Sequence, residues 1–217
     1  MKNGLKYLHF GTLWLLGAIV SFNSCSQSPT SDEGVIINGV KWATRNVDAP
    51  GTFASKPEDF GMFYQWNRIK AWAATGDVTD WDESYPVGDT WEKVNDPSPA
   101  GWRVPTLDEI QKLLDTDKVD YRWTTTFITG VKGHKFTDRA TKKSIFIPAA
   151  GFRDGIDGGR LSNTWSGLYW SATAGGNGAY YFSISSGHFG LIWKDSENAK
   201  WNSCNSRNGL LVRAVAE

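Results

Sequence analysis

A single α+β domain of short antiparallel strands, one helix and long loops is what this sequence predicts, and three local patterns carry the prediction. Val35-Ile36-Ile37 and Val40-Lys41-Trp42-Ala43 flank Asn38-Gly39, the dipeptide that best supplies two consecutive positive φ values, so the stretch is expected to be a tight hairpin. In Thr106-Leu107-Asp108-Glu109 the Thr hydroxyl can accept from an early backbone N–H while the Glu three residues on reaches back, a capping box. Leu107, Ile110 and Leu114 then share a stripe with Leu113 beside it, which predicts a helix over about 107–115 burying one face. The third pattern is a series of short apolar runs separated by Gly, Asn and Ser clusters, which read as strands and turns.

Taken in order, the chain begins with Lys2 and Lys6 ahead of the apolar run Leu8 to Val20, long enough for the core of an export signal and too short for a spanning helix. Ser21-Phe22-Asn23-Ser24-Cys25 follows. It resembles the bacterial lipobox, with Phe22 and Asn23 at positions usually held by Leu or Val and by a small residue. Cys25 is accordingly the expected lipidation site; the alternative is an ordinary secretory signal. Residues 1–24 are read as signal peptide, 25–33 as a polar tether and 34–217 as the domain. Within the domain, 59–72 is aromatic-dense and reads as a strand leading into a short helical turn. Residues 73–99 read as a long loop excursion. Beyond the helix, strands are expected at 134–137, 144–148, 168–172, 179–185, 187–193 and 210–216.

Composition excludes several functions. Lys plus Arg and Asp plus Glu each number 23, and removing the signal leaves about −2, so there is no basic footprint for nucleic acid and no polybasic face for an anionic membrane. Membrane attachment is expected through the lipid alone. With Cys25 lipidated, Cys204 is the other thiol, and with His134 and His188 it cannot complete a four-ligand zinc site. No nucleophile elbow or HExxH spacing occurs, and no two carboxylates are paired by spacing for glycoside hydrolysis. The expectation is therefore a protein without enzyme activity and without a cofactor. The acidic groups Asp77, Asp80, Asp82 and Glu83, and Asp154 with Asp157, read as turn carboxylates. Twelve Trp keep a stacked sugar ligand in play, although Trp42 and Trp170 lie in apolar runs that suit a core.

Several segments carry a family resemblance: GVKWATRNVDAPGTFA from Gly39, FYQWN from Phe63, NDPSPAGWRVPT from Asn95, SIFIPAAGFRDG from Ser144, LYWSAT from Leu168 and NGLLVRAVAE from Asn208. They resemble the Fibrobacter succinogenes major paralogous domain (FISUMP), a Trp-rich module of surface lipoproteins in Bacteroidetes, over about 34–217. The resemblance implies a C-type lectin-like fold whose last strand returns beside the first, and a location at the outer membrane or cell surface, or secretion if Cys25 carries no lipid. Members often have Cys where Ser98 stands. The same fold hosts calcium-dependent lectins, but Trp201-Asn202-Ser203 has Ser in place of their Asp, which disfavours calcium. It also hosts the formylglycine-generating enzymes, whose Arg-x-Pro-Thr and acidic-helix signature is echoed by Arg103 to Thr106 and Glu109 but whose reactive Cys pair is not, since Cys204 stands alone.

The resemblance further implies a ligand-facing surface near the C-terminus, where related proteins of diversity-generating retroelements vary. Its residues here are His188, Phe189, Leu191, Ile192, Trp193, Trp201, Asn202, Asn205 and Arg207. For Phe189, Leu191 and Trp193 the competing reading is a strand face, because they have a period of 2. The expected function is that of a surface-anchored binding module for an unidentified protein or glycan. A carbohydrate-binding or carbohydrate-active surface protein is the first alternative, and a fold relative of the formylglycine-generating enzymes the second.

Overall fold

The computed structural model describes residues 28–161, 165–175, 178–186, 189–192 and 205–217. In chain order the elements are β1 (Val35–Ile37), β2 (Val40–Trp42), β3 (Phe63–Gln65), β4 (Ala71–Trp72), β5 (Trp102–Arg103), α1 (Leu107–Leu113), β6 (Val119–Thr125), β7 (Lys132–Asp138), β8 (Ser144–Pro148), β9 (Phe152–Arg153), β10 (Arg160–Leu161), β11 (Ser166–Gly175), β12 (Gly178–Ser185), β13 (Phe189–Ile192), β14 (Gly209–Leu210) and β15 (Val215–Ala216). The class is α+β, with small, mostly antiparallel sheets and one α-helix among the described residues. No helix among them is long and apolar enough to cross a membrane.

Asn38 and Gly39 adopt φ of 45° and 79°, and the hairpin they close pairs Ile37 with Val40. β15 then lies against β2 on one side and β5 on the other, giving the order β1-β2-β15-β5. The second sheet runs β10-β9-β14-β3-β4, and two three-stranded sheets run β11-β12-β13 and β6-β7-β8. The helix carries its capping box: Thr106 Oγ1 accepts from the Glu109 N–H, and the Thr106 N–H donates to Glu109 Oε2. Arg103 grips the same carboxylate with both Nη atoms at 2.8 and 2.6 Å.

Three expectations need correction. The helix buries Ile110 and Leu113, while Leu107 and Leu114 are only half-buried, so the buried stripe is centred one step from the predicted one and the helix ends at Leu113. No helical turn follows β3: Trp66 and Asn67 form a turn, and Asn67 has φ of 53°, a left-handed value that an α-helix cannot continue. The chain doubles back instead as β4, with Phe63 opposite Trp72. The apolar run 210–216 is not one strand either, because Leu210 belongs to β14 and Val215 to β15, in different sheets. Between them Arg213 is buried, its Nη1 donating to Ala43 O and its Nη2 to Phe146 O.

The strands that reach the centre are covered on both faces. Phe63, Tyr169, Phe182, Leu211 and Val215 join one apolar cluster with Ile110, Leu113 and Phe136. Their neighbours Tyr64, Trp170, Tyr181, Leu210 and Val212 join a second, with Val47, Trp66, Trp91 and Trp102. Alternation of side chains along a strand therefore feeds two cores, which is why these strands read as continuous apolar runs. Trp42, Trp66, Trp72, Trp91, Trp102 and Trp170 are all buried.

A fold so rich in loops must satisfy many buried carbonyls, and buried arginines supply many of the donors. Arg153 donates from Nε and Nη2 to Ala73 O, from Nη2 to Gly76 O and from Nη1 to Gly158 O. Arg45 pairs through Nε with Asp32 at 3.1 Å and donates through Nη1 to Ala54 O. The Asp32 side chain is fully covered and also accepts from the Gly34 and Thr44 N–H groups and the Thr44 hydroxyl. Of the segment expected to be a free tether, the part around Asp32 is thus built into the domain.

Candidate functional site

The long excursion 73–99 is a packed loop, and its fastening creates a groove. Its start is held by the Arg153 bonds to Ala73 and Gly76. Trp81 then packs against Trp72 at a 42° tilt, with ring centroids 4.6 Å apart. A Cβ at Gly158 or Gly209 would come within 2.5 or 2.9 Å of the Trp81 ring, so only glycine admits it there. The end of the loop is pinned by the Trp91 N–H bonded to Ala172 O at 3.0 Å.

Gln65, Asn67 and Arg68, on and after β3, hold the middle of the loop. Gln65 Nε2 donates to Asp82 O at 2.6 Å and to Arg207 O at 2.9 Å. Asn67 Nδ2 donates to Val87 O, and its Oδ1 accepts from the Glu92 N–H and from Asn95 Nδ2. Arg68 pairs through Nη1 with Asp82 and bonds through Nη2 to Ser84. These residues, with Ile69, Lys70, Tyr85, Pro86 and Val87, line an open groove of about 480 Å³. A smaller hollow of about 220 Å³ lies on the other side of Tyr85 and Pro86, against Trp66, Asp89, Ala174, Gly178 and Ser206.

Two predicted site residues reach this place. Arg207 Nε and N–H both donate to Asn205 Oδ1, Arg207 Nη1 donates to Glu83 O, and its guanidinium lies 4.5 Å from the Tyr85 ring centre. The segment 205–207 and the loop 82–85 are therefore one surface. Phe189, Leu191 and Ile192 lie in β13, opposite Ile184, Phe182 and Tyr181 of β12. His188, Trp193, Trp201, Asn202, Cys204 and Cys25 lie outside the described residues. Gln65, Asn67, Arg68 and Tyr85 are not among the site residues that sequence reasoning names. Three of them lie in or just after the FYQW run, and their polar character beside a strand of buried aromatics is the signal that could have found them.

The groove is balanced in charge, with Arg68 and Lys70 against Asp82 and Glu92. The Asp82 carboxyl is held below its usual range by the Ser84 hydroxyl and N–H and by Arg68. Its physical state is that of an anchored carboxylate accepting hydrogen bonds, not a proton donor. Two polar atoms on this lining are buried without a protein partner: Gln65 Oε1, an acceptor, and Arg68 Nε, a donor. The Gln65 amide cannot turn to change this, since both carbonyls it faces require the N–H₂.

Asp154 and Asp157 are occupied locally. Asp154 Oδ1 accepts from the Ile156 N–H and Asp157 Oδ1 from the Gly159 N–H, the two-residue reach of an Asx turn. Among the described residues no cluster of three or more His, Cys, Asp or Glu side chains suited to a metal ion occurs. Arg103 and Glu109, the echo of an enzyme signature, form the clamp at the start of α1. No family model, curated protein or solved structure matches this chain.

Proposed function

We propose that this chain is a surface-anchored binding module, a FISUMP-type domain of C-type lectin-like fold, held by lipid on Cys25 and recognising an extracellular ligand through its C-terminal surface. The observation that carries the proposal is the junction of Asn205 and Arg207 with Tyr85 at the rim of the groove. A rigid frame presenting loop side chains is the arrangement that separates folding from recognition, and Tyr and Arg are among the residue types that most often concentrate interface energy. The return of β15 beside β2 supports the fold assignment. The motifs behind the family resemblance supply buried polar residues of the frame, among them Arg45, Arg153 and Arg213, which supports reading them as fold determinants.

The test is an array of extracellular proteins and glycans probed with the chain from residue 25 onward carrying Cys25→Ser. Hits lost in a Trp201→Ala, Arg207→Ala double variant support the C-terminal surface; hits indifferent to it contradict that surface. Fatty-acid labelling of the full chain, abolished by Cys25→Ser, tests the anchor. A nearby reverse-transcriptase gene with a repeat of the codons for 185–213 would establish diversification, and its absence would remove it. Enzyme chemistry of the formylglycine-generating kind requires an activity lost in Cys204→Ser.

A further inference from the structure

We infer that the groove beside the β3–β4 turn binds a neutral, hydroxyl-rich ligand, a saccharide, without a metal ion. This deepens the binding reading above, on which it rests, by naming a ligand class and by moving its centre from the C-terminal segment to Arg68, Asp82 and Tyr85.

Three features of the groove converge on that chemistry. A saccharide hydroxyl both donates and accepts, and the groove presents both kinds of partner: Arg68 and Lys70 as donors, Asp82, Glu92 and the Ser84 hydroxyl as acceptors. Lys70, Ser84 and Glu92 are exposed and Arg68 and Asp82 partly so, and a hydroxyl can pair with either kind. The second feature is charge. Arg68 and Lys70 are matched by Asp82 and Glu92, and Arg68 and Asp82 already neutralise each other. A phosphate, a sulfate or a free cation would meet a like charge as readily as an opposite one, whereas an uncharged polyol meets only hydrogen-bonding groups. The third is an aromatic platform. Tyr85 is 62% exposed, and the Arg207 guanidinium 4.5 Å from its centre holds it in place by a cation–π contact. Tyr85 stands between the two hollows, where the apolar C–H face of a pyranose could lie on the ring. A groove of about 480 Å³ falls within the roughly 300–1,000 Å³ of small-molecule sites.

Planar side chains locked by the frame complete the case. Gln65 is fully buried and oriented by two carbonyls, and Arg68 is held by Asp82 and Ser84. Both are positioned before any ligand arrives, which lowers the ordering cost of binding. The carbonyls and carboxylate that orient them come from the loop and from Arg207, so this lining exists only because the excursion 73–99 is folded back.

The experiment uses the chain from residue 25 with Cys25→Ser, in EDTA, on an array of neutral gluco-, manno-, xylo-, galacto- and fructo-oligosaccharides with sialylated and sulfated controls, followed by calorimetry on the strongest neutral hit. Neutral saccharides should bind, Tyr85→Ala should weaken them about tenfold or more, and Arg68→Lys, which removes the planar fork held by Asp82 and Ser84 and keeps the charge, should do the same. Tyr85→Phe should retain most affinity, since it keeps the ring. Unchanged thermal melts of the Tyr85 variants, whose ring is exposed, separate binding from folding. Preference for charged glycans, loss of binding in EDTA, or indifference to Tyr85→Ala and Arg68→Lys each overturns the inference. Binding of proteins but of no saccharide overturns it and leaves the binding-module reading standing; silence from both removes both.

Discussion

Arg153 and Arg68 carry the same guanidinium and do opposite things with it. Arg153 is fully buried, and Nε, Nη1 and Nη2 all donate to backbone carbonyls of Ala73, Gly76 and Gly158. Arg68 is partly exposed, spends its two Nη groups on Asp82 and Ser84, and keeps Nε without a protein partner at the groove. A saturated fork has no capacity left for a ligand and serves the fold. A partly exposed one beside a cavity stays within a ligand's reach. The same contrast separates Arg45, paired with covered Asp32, from Arg207, which lies over exposed Tyr85.

That contrast can be broken by substitution. The largest effect should follow Asp32→Ala, which strands the Arg45 charge in the interior and is expected to cost about 3–5 kcal/mol in chemical denaturation. A chain shortened to begin at residue 34 should suffer similarly, because it lacks the same carboxylate. Arg153→Met is expected to cost about 3 kcal/mol, since each orphaned buried carbonyl costs about 1–3 kcal/mol; unlike Asp32→Ala it should also abolish ligand binding at temperatures where the protein remains folded, because the loop start is released. Thr106→Ala removes a helix cap and should cost about 1 kcal/mol in the same measurement, with binding unchanged.

Acid provides a gentler probe. Backbone N–H groups of Thr141 and Asn38, with help from the Thr141 hydroxyl and Ala140 N–H, hold the Asp138 carboxyl down to about 2 from its usual 3.8. A depressed carboxylate contributes stability that is fully present above the unfolded value and is lost as pH falls through the folded one. Melting temperature should therefore drop between about pH 4 and pH 2 more steeply in the wild type than in Asp138→Asn. The smallest stability effect belongs to Arg68→Lys, about 0.5 kcal/mol or less, because its ion pair is solvent-accessible. Its expected signature is the reverse of that of Asp32→Ala: binding lost, fold kept.

What could be read in the sequence was whatever is decided within a few residues. Asn38-Gly39 dictates its own turn, and Thr106 with Glu109 caps its own helix. Ser144 to Pro148 shows as a strand by composition. β6 was also within reach, since Val119, Tyr121 and Trp123 alternate with Asp120, Arg122 and Thr124, but its charged residues make it resemble a loop. The split of 210–216 was not legible, because Leu210 and Val215 keep a continuous apolar texture and only the carbonyls of Ala43 and Phe146 reveal why Arg213 is buried between them. The site was legible in part. Asn205 and Arg207 stand out in the C-terminal stretch, but their meeting with Glu83 and Tyr85 depends on a contact spanning 124 positions. Gln65 and Arg68 show in the sequence only as neighbours of an aromatic run, since an unsatisfied atom is a property of the folded surroundings.

The most direct measurement is a nuclear magnetic resonance titration of the wild-type chain from residue 25, carrying Cys25→Ser, with the strongest neutral oligosaccharide from the array, in EDTA. The side-chain signals of Arg68 Nε–H and Gln65 Nε2–H₂ and the ring signals of Tyr85 should shift together, with one saturation curve. Shifts confined to residues 188–204, with Gln65, Arg68 and Tyr85 unmoved, would contradict the assignment of the groove.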